Sequence, residues 1–360
     1  MALSLVSLVT GPVHADDKPK SPAPEKTPPK PDKVAKIEKM DKQPEKAADP
    51  EPDLLALTND PITNKADRID GDEASGVVAF TFDDGPNPET SPAVIDALVK
   101  YNIPATFFIV TQRISGKHGD KGRDVVAREV ASGFGIGSHS VTHPNLRTLS
   151  QKKMEAEIDN SIKTLSPQIG RPVGLFRAPY GALNAAGRAH LKKLDLTEVF
   201  WSIDTLDWAS HNADRLRKRT LQMIVKQNGG VVLMHDVKPI TAKVAAQIFD
   251  DLEAENCKRL ADAAIPDPPT PPPDPPDDPN APKDPKAKPK AKKPPPPPPR
   301  KKLEPIIPVS LHYFLKDGKT SRAIPDDVKA RTETYRIALP GRCLARATAV
   351  AQPTDPTPKK

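Results

Sequence analysis

Prolines decide where this chain can fold. Of its 45, 11 lie in residues 1–76, 9 in 77–265, 20 in 266–310 and 5 beyond. Proline removes a backbone donor and breaks both helices and central strands, so the block 77–265 is the one region able to carry a long run of regular structure. Its length suits a single domain. Aromatic residues are 4% of the chain and the formal charge is +7 over 360 residues, which argues against an aromatic-rich sugar-binding sandwich and an acidic disordered polymer. The mild positive balance implies no nucleic-acid partner, and no aromatic side chains are interleaved with Lys283 to Lys302 for base stacking.

The flanks read differently. Leu3 to Val13 is an apolar run ending in Val13-His14-Ala15, with small residues suited to signal-peptidase cleavage. Residues 1–15 are therefore expected to be a signal peptide, although no Lys or Arg precedes the run. No other stretch approaches the roughly 20 apolar residues of a membrane span, so the expected location is secreted, periplasmic or at the cell envelope. Residues 16–60 mix Lys, Asp, Glu and Pro, and a disordered proline-rich linker is expected over 16–72. Residues 266–302 form a proline-rich insertion whose second half carries nine Lys or Arg against one Asp between 283 and 302. It reads either as a basic arm for an anionic cell-envelope polymer or as a soluble spacer. Cys257 and Cys343 allow one disulfide closing a long loop, or two separate thiols.

Inside the block, apolar runs fit strands at 77–83, 105–110, 134–138, 174–177, 198–203 and 230–234. Helical spacing fits segments opening at Ser91 and Ser150, and segments at 123–132, 184–194, 213–227 and 241–254. Such alternation means an α/β fold with a parallel sheet, open or closed into a barrel. The run Ile306 to Phe314 resembles one more strand. The chain is thus expected to return to the same domain over 303–340, leaving 341–360 as a tail.

Five polar clusters each follow a predicted strand, and in parallel α/β folds those strand ends share one rim. Thr81-Phe82-Asp83-Asp84-Gly85-Pro86 sets two carboxylates that point oppositely along an extended strand, or is simply an acidic turn. His139-Ser140-Val141-Thr142-His143 has the spacing that places two imidazoles on one side of a helical turn, suited to a divalent cation with an Asp as third ligand and a fourth position open. Arg177-Ala178-Pro179-Tyr180-Gly181 offers a fixed charge beside a stiff turn whose N–H groups can face an oxyanion. Asp204-Thr205-Leu206-Asp207-Trp208 sets acids beside a Trp, as core or as the wall of a sugar site. Leu233-Met234-His235 ends a fully apolar strand in an acid or hydrogen-bond partner.

Taken in order, these clusters resemble the five motifs of the polysaccharide deacetylases, the family-four carbohydrate esterases with the nodulation-type deacetylase domain. The resemblance covers about 77–254 together with the return strand to about 314, with a domain drawn at 73–265. It implies a distorted (β/α)7 barrel and hydrolysis of acetamide groups on an N-acetylated glycan. Carried over by position, Asp84, His139 and His143 hold the metal, usually Zn2+ with Co2+ or Ni2+ as alternatives. Asp83 is the base and Arg177 orients it. His235 is the acid, tuned by Asp207. The Tyr180 N–H faces the oxyanion, and Tyr180, Trp208 and Leu233 line the substrate pocket. Peptidoglycan is the first substrate expected. Chitin, poly-N-acetylglucosamine and O-acetyl xylan are alternatives, as is a non-catalytic cell-wall-binding protein.

Overall fold

Strand β2 (Val77–Asp83) is the axis on which the sheet is built. Every residue of it is buried, and its side chains alternate between two apolar environments, as a strand covered on both faces must. Val78, Phe80 and Phe82 join the layer beneath the helices, whereas Val77 and Ala79 face the other way, with Ile69, Phe108, Leu175 and Val231. Thr81 and Asp83 continue that second row, so the Asp83 carboxylate stands on the inner face of the sheet. The structure is a computed structural model and describes residues 68–117, 119–265, 302–317, 320–321 and 323–351. The expected signal peptide 1–15, linker residues 16–67 and insertion residues 266–301 lie outside the described residues.

The remaining elements of the block are α1 (Ser91–Lys100), β3 (Ala105–Ile109), α2 (Asp120–Ala131), β4 (Gly135–Ser138), α3 (Gln151–Ile169), β5 (Leu175–Phe176), α4 (Ala185–Lys193), β6 (Thr197–Val199), β7 (Ile203–Asp204), α5 (Ala213–Gln227), β8 (Gly229–His235) and α6 (Pro239–Ala264). They are preceded by β1 (Arg68–Ile69) and followed by β9 (Ile307–Pro308) and α7 (Asp326–Ala351). The strands pair in parallel in the order β1-β6-β5-β4-β3-β2-β8-β7, with β9 beside the start of β2.

The expected single strand at 198–203 is two. β6 lies near one edge of the sheet and β7 at the other, yet only Phe200, Trp201 and Ser202 separate them. Three linking residues reach roughly 14 Å at full stretch, so the sheet must curl until its edges meet, and the fold is a distorted (β/α) barrel. Backbone bonds complete the seam: the Phe200 N–H donates to Ile69 O (2.7 Å), Ser202 N–H to Val231 O (3.1 Å) and Val231 N–H to Gly71 O (3.2 Å). Gly71 sits there at φ +103°, where an added Cβ would lie 2.7 Å from Ser202 N. Only glycine fits that approach.

Three expected boundaries move. Arg68–Ile69 belong to the sheet through pairing with β6, so the linker ends before residue 68; the segment was too polar to signal a strand. Helix α6 runs ten residues past the expected 254, because its polar extension is held by specific bonds rather than an apolar stripe. Asn256 exchanges two 2.7 Å hydrogen bonds with the backbone of Ile306, and Arg259 donates to Glu304 O at 3.0 Å. The expected strand at 306–314 is only two residues long before the chain tightens into a 3-10 turn at Leu311–Phe314.

The expected tail 341–360 is helical through residue 351, and α7 is sutured to α6. Cys257 and Cys343 form a disulfide, Arg342 donates to Glu253 (2.8 Å), and Arg346 grips both oxygens of Asp250 (2.6 Å each). The disulfide spans 86 residues, a loop whose closure in the unfolded chain is worth about 4–5 kcal/mol in the chain-entropy model. The Cys257→Ser/Cys343→Ser variant should lose a large part of that, read from urea unfolding against the oxidised wild type. Coincident midpoints would assign the pair no stabilising role.

Candidate active site

All five polar clusters lie on the rim formed by the C-terminal strand ends, and hydrogen bonds beyond the ladders tie their loops together. Val110 N–H donates to Gly85 O, Thr111 N–H to Ser140 O, and His139 N–H to Ile109 O. The β2–β8 register sets Asp83 directly beside His235, so two groups 152 positions apart in the chain are adjacent by pairing alone.

Arg177 is fully buried within the barrel. Its Nη1 donates to Asp83 Oδ1 (2.7 Å) and to Thr81 Oγ1 (2.8 Å), its Nε to Val199 O (3.1 Å) and its Nη2 to Phe200 O (3.0 Å). The guanidinium also lies over the Phe108 ring, 4.2 Å from its centroid. Burial lowers the pKa of this guanidinium, and Asp83 offsets part of that penalty. Asp83 Oδ1 is committed to Arg177, while Oδ2 faces His139 Nε2 at 3.7 Å.

Asp84, His139 and His143 converge. One Asp84 oxygen lies 3.1 Å from His143 Nε2 and 3.5 Å from His139 Nε2, and the three donor atoms all fall within 4.8 Å of one another. His139 Nδ1 donates to Arg177 O at 2.7 Å. A carbonyl only accepts, so the neutral ring keeps its Nε2 lone pair pointed at Asp84. Burial lowers the His139 pKa and favours that neutral form, although Asp83 and Asp84 oppose it. Burial also opposes charge on Asp84. The His143 imidazole beside it and the fields of His139 and His235 outweigh it and hold the carboxylate well below its usual range. Asp84 Oδ1 is buried with no hydrogen-bond donor. An acceptor left so, beside two imidazole nitrogens, fits a divalent cation such as zinc.

The His139–His143 segment is not a helical turn. Ser140 (φ 68°) and His143 (φ 63°) are left-handed, as are Asp84 (72°), Tyr180 (59°) and Leu206 (52°). Five of the eight such non-glycine residues among those described therefore sit in the five clusters. Each conformation costs about 1–3 kcal/mol, a strain that concentrates where geometry serves function. The histidine loop is pinned from α3 by Glu157, which accepts from the N–H groups of Val141 and Thr142 (2.9 Å each) and from Thr142 Oγ1 (2.8 Å). Glu157 carries no sequence signal, because it lies off the apolar stripe of α3 and outside every cluster. Glu157→Ala should weaken divalent-cation affinity by about 10–100-fold, read by chelator competition with the circular dichroism spectrum unchanged.

His235 closes the other flank. Its Nδ1 and backbone N–H donate to the two oxygens of Asp207 (2.7 Å each), and Thr241 Oγ1 holds the same carboxylate at 2.5 Å. Burial opposes the imidazolium, but the Asp207 bond and charge, with Asp83 and Asp84 behind, raise its pKa to about 9. The ring is therefore protonated at neutral pH and sheds its proton as pH rises through about 9. Asp207→Asn removes the main opposing charge and should shift the His235 titration to lower pH, measured by NMR of the ring protons. An unmoved titration would show that Asp207 does not set it.

Tyr180 is exposed and sets its ring edge-on to His143, centroids 4.7 Å apart. A cleft of about 460 Å³ opens on Asp84 and His143 and is lined also by Val110, Gln112, Arg113 and Thr142. Two of the expected pocket residues are not part of that lining: Leu233 is buried in β8 and Trp208 is 56% exposed beyond Asp207. Val110, Gln112 and Arg113 were missed, although they follow β3 at the same rim.

The polysaccharide deacetylase family matches residues 70–199. The peptidoglycan-N-acetylglucosamine deacetylase PgdA of Listeria monocytogenes is 33% identical over 182 residues, 51% of this chain and 37% of that protein. The chitooligosaccharide deacetylase of a Bradyrhizobium species (strain ANU 289) is 34% identical over 165 residues, 45% of this chain and 71% of that protein. A solved family 4 carbohydrate esterase from Streptomyces lividans is 32% identical and covers 51% of this chain and 91% of its own, with a TM-score of 0.45. The chain belongs to the polysaccharide deacetylase family, and it spans little more than a third of the length of the Listeria relative.

Proposed function

We propose that this protein is a secreted, metal-dependent N-deacetylase that hydrolyses acetamide groups on N-acetylglucosamine-type residues, with peptidoglycan as the polymer. The observation that carries the reading is the pair of proton-handling groups, Asp83 with Arg177 and His235 with Asp207, flanking one Asp-His-His cation site. The Listeria relative's name supports the choice of polymer, and among the described residues no helix is long and apolar enough to cross a membrane. The basic stretch 283–302 is proposed to draw the enzyme to an anionic envelope polymer.

Asp84, His139 and His143 would hold the cation, zinc by the nature of the two imidazole donors. A cation there would supply Lewis-acid chemistry to the acetyl carbonyl and to water. Asp83 Oδ2, its partner oxygen fixed by Arg177, takes a proton from the attacking water. Water oxygen bonds to the carbonyl carbon, and the Tyr180 N–H is assigned to the developing oxyanion. His235 has Nδ1 committed to Asp207, so Nε2 delivers the proton to the departing nitrogen as the C–N bond breaks, giving acetate and an amine. Tyr180, Trp208 and Leu233 are proposed to face the substrate.

The test is mass spectrometry of a glycan panel after incubation with zinc, cobalt or nickel. Loss of one acetyl unit with release of acetate is expected, and Asp83→Asn should slow turnover by about 10²–10⁴-fold. The reading fails if no member of the panel loses acetyl with any of the three metals, or if Asp83→Asn equals wild type. The Bradyrhizobium relative, matched over more of its length, favours chitin-type oligomers as the second reading, and the same panel separates the two.

A further inference from the structure

Helix α5 is capped by Asn212 and carries Asp214 in its first turn, yet its charge pattern runs against helix stability in two ways. Its first half carries Arg215, Arg217, Lys218 and Arg219, where the positive end of the helix dipole disfavours cations. Arg215 and Arg219 are like charges four residues apart on one face, a repulsive pair. Neither guanidinium has a hydrogen-bond or ion-pair partner among the described residues, whereas Arg217, turned elsewhere, meets Asp251 at 3.4 Å. Asp214, next to Arg215 in the chain, forms no ion pair with Arg215 or Arg219 among the described residues, and Asp204 has its Oδ1 taken by the Leu206 N–H at 2.8 Å. Both side chains are exposed to solvent, and no contact within the fold fixes where they point.

Both arginines line a pocket of about 320 Å³ with Leu206, Ala209, His211 and Asn212. One wall is the turn that serves the candidate active site, since Leu206 precedes Asp207, the residue that holds His235. Because α5 follows β7 in a β/α unit, its N-terminus rises at the same rim as the five clusters. The exposed Trp208 stands on the turn between Asp207 and the pocket lining at Ala209.

We propose that this pocket is a subsite for a carboxylate carried by the glycan next to the sugar being deacetylated. The inference rests on the deacetylase reading and narrows its substrate class to acidic N-acetylated glycans. Two guanidiniums one helical turn apart present paired N–H donors that match a planar carboxylate, and the dipole that disfavours them favours the anion. A neutral chitin-type chain has no such group. A wall glycan does, on the sugar's own lactyl ether or on an attached peptide.

Three oligomers of equal length test this: neutral N-acetylglucosamine units, units bearing lactyl carboxylates, and the latter with peptide attached. Arg215→Gln/Arg219→Gln should raise KM for at least one carboxylated oligomer by about 10-fold or more, with kcat and the neutral oligomer's KM little changed. Arg215→Lys/Arg219→Lys, which keeps charge without the fork, should fall between. Whichever carboxylated oligomer responds identifies the source of the anion. Equal effects on neutral and acidic oligomers, or none on either, overturn the proposal. Calorimetric binding of the same oligomers to wild type and double variant reads the subsite without turnover, so loss of the deacetylase reading and loss of this one are separable.

Discussion

The buried contact between Arg177 and Asp83 is the constraint on which the rest of the site depends. A guanidinium inside a barrel is tolerable only if its donors are met, and here a carboxylate, a threonine hydroxyl and two backbone carbonyls meet them. Removing one partner of such a pair costs about 3–5 kcal/mol, because the other charge is left stranded. The same residue acts twice. Its side chain fixes Asp83, and its carbonyl sets the tautomer of His139, so one position orients both an acid and an imidazole. The two bonds to Val199 and Phe200 anchor it to the stretch where β6 leaves its edge and the barrel closes.

Much of this was legible beforehand because the signals were apolar and periodic. β2 and β8 are unbroken apolar runs, and the helices between them carry clear stripes. The rule that parallel strands share a functional rim was enough to gather Asp83, Asp84, His139, His143, Arg177, Asp207 and His235 from across the chain. The elements that escaped are those held by polar bonds. β1 is two residues joined to β6. The end of α6 depends on Asn256 and Arg259, and α7 on a disulfide and two arginine–carboxylate pairs. None leaves a period to detect.

Within the site, residue types were readable and backbone shape was not. Spacing alone made His139 and His143 neighbours on a helical turn. Two left-handed residues and Glu157 instead bring the rings together, a solution reached only through tertiary contacts. The cleft residues Val110, Gln112 and Arg113 follow β3 without any chemically marked side-chain pattern. Trp208 and Leu233 were assigned to the pocket by the resemblance to the family, and neither lines the cleft beside Asp84.

The suture between α6 and α7 has a consequence for the integrity of the molecule. Because Cys257 and Cys343 lie on either side of the proline-rich segment, a peptide bond cut between residues 266 and 301 yields two fragments that migrate as one species until reduced. The first keeps the barrel, and the second keeps β9, Ile306 and the arginines of α7. A cut there would thus leave the core contacts of the described residues joined by one covalent bond.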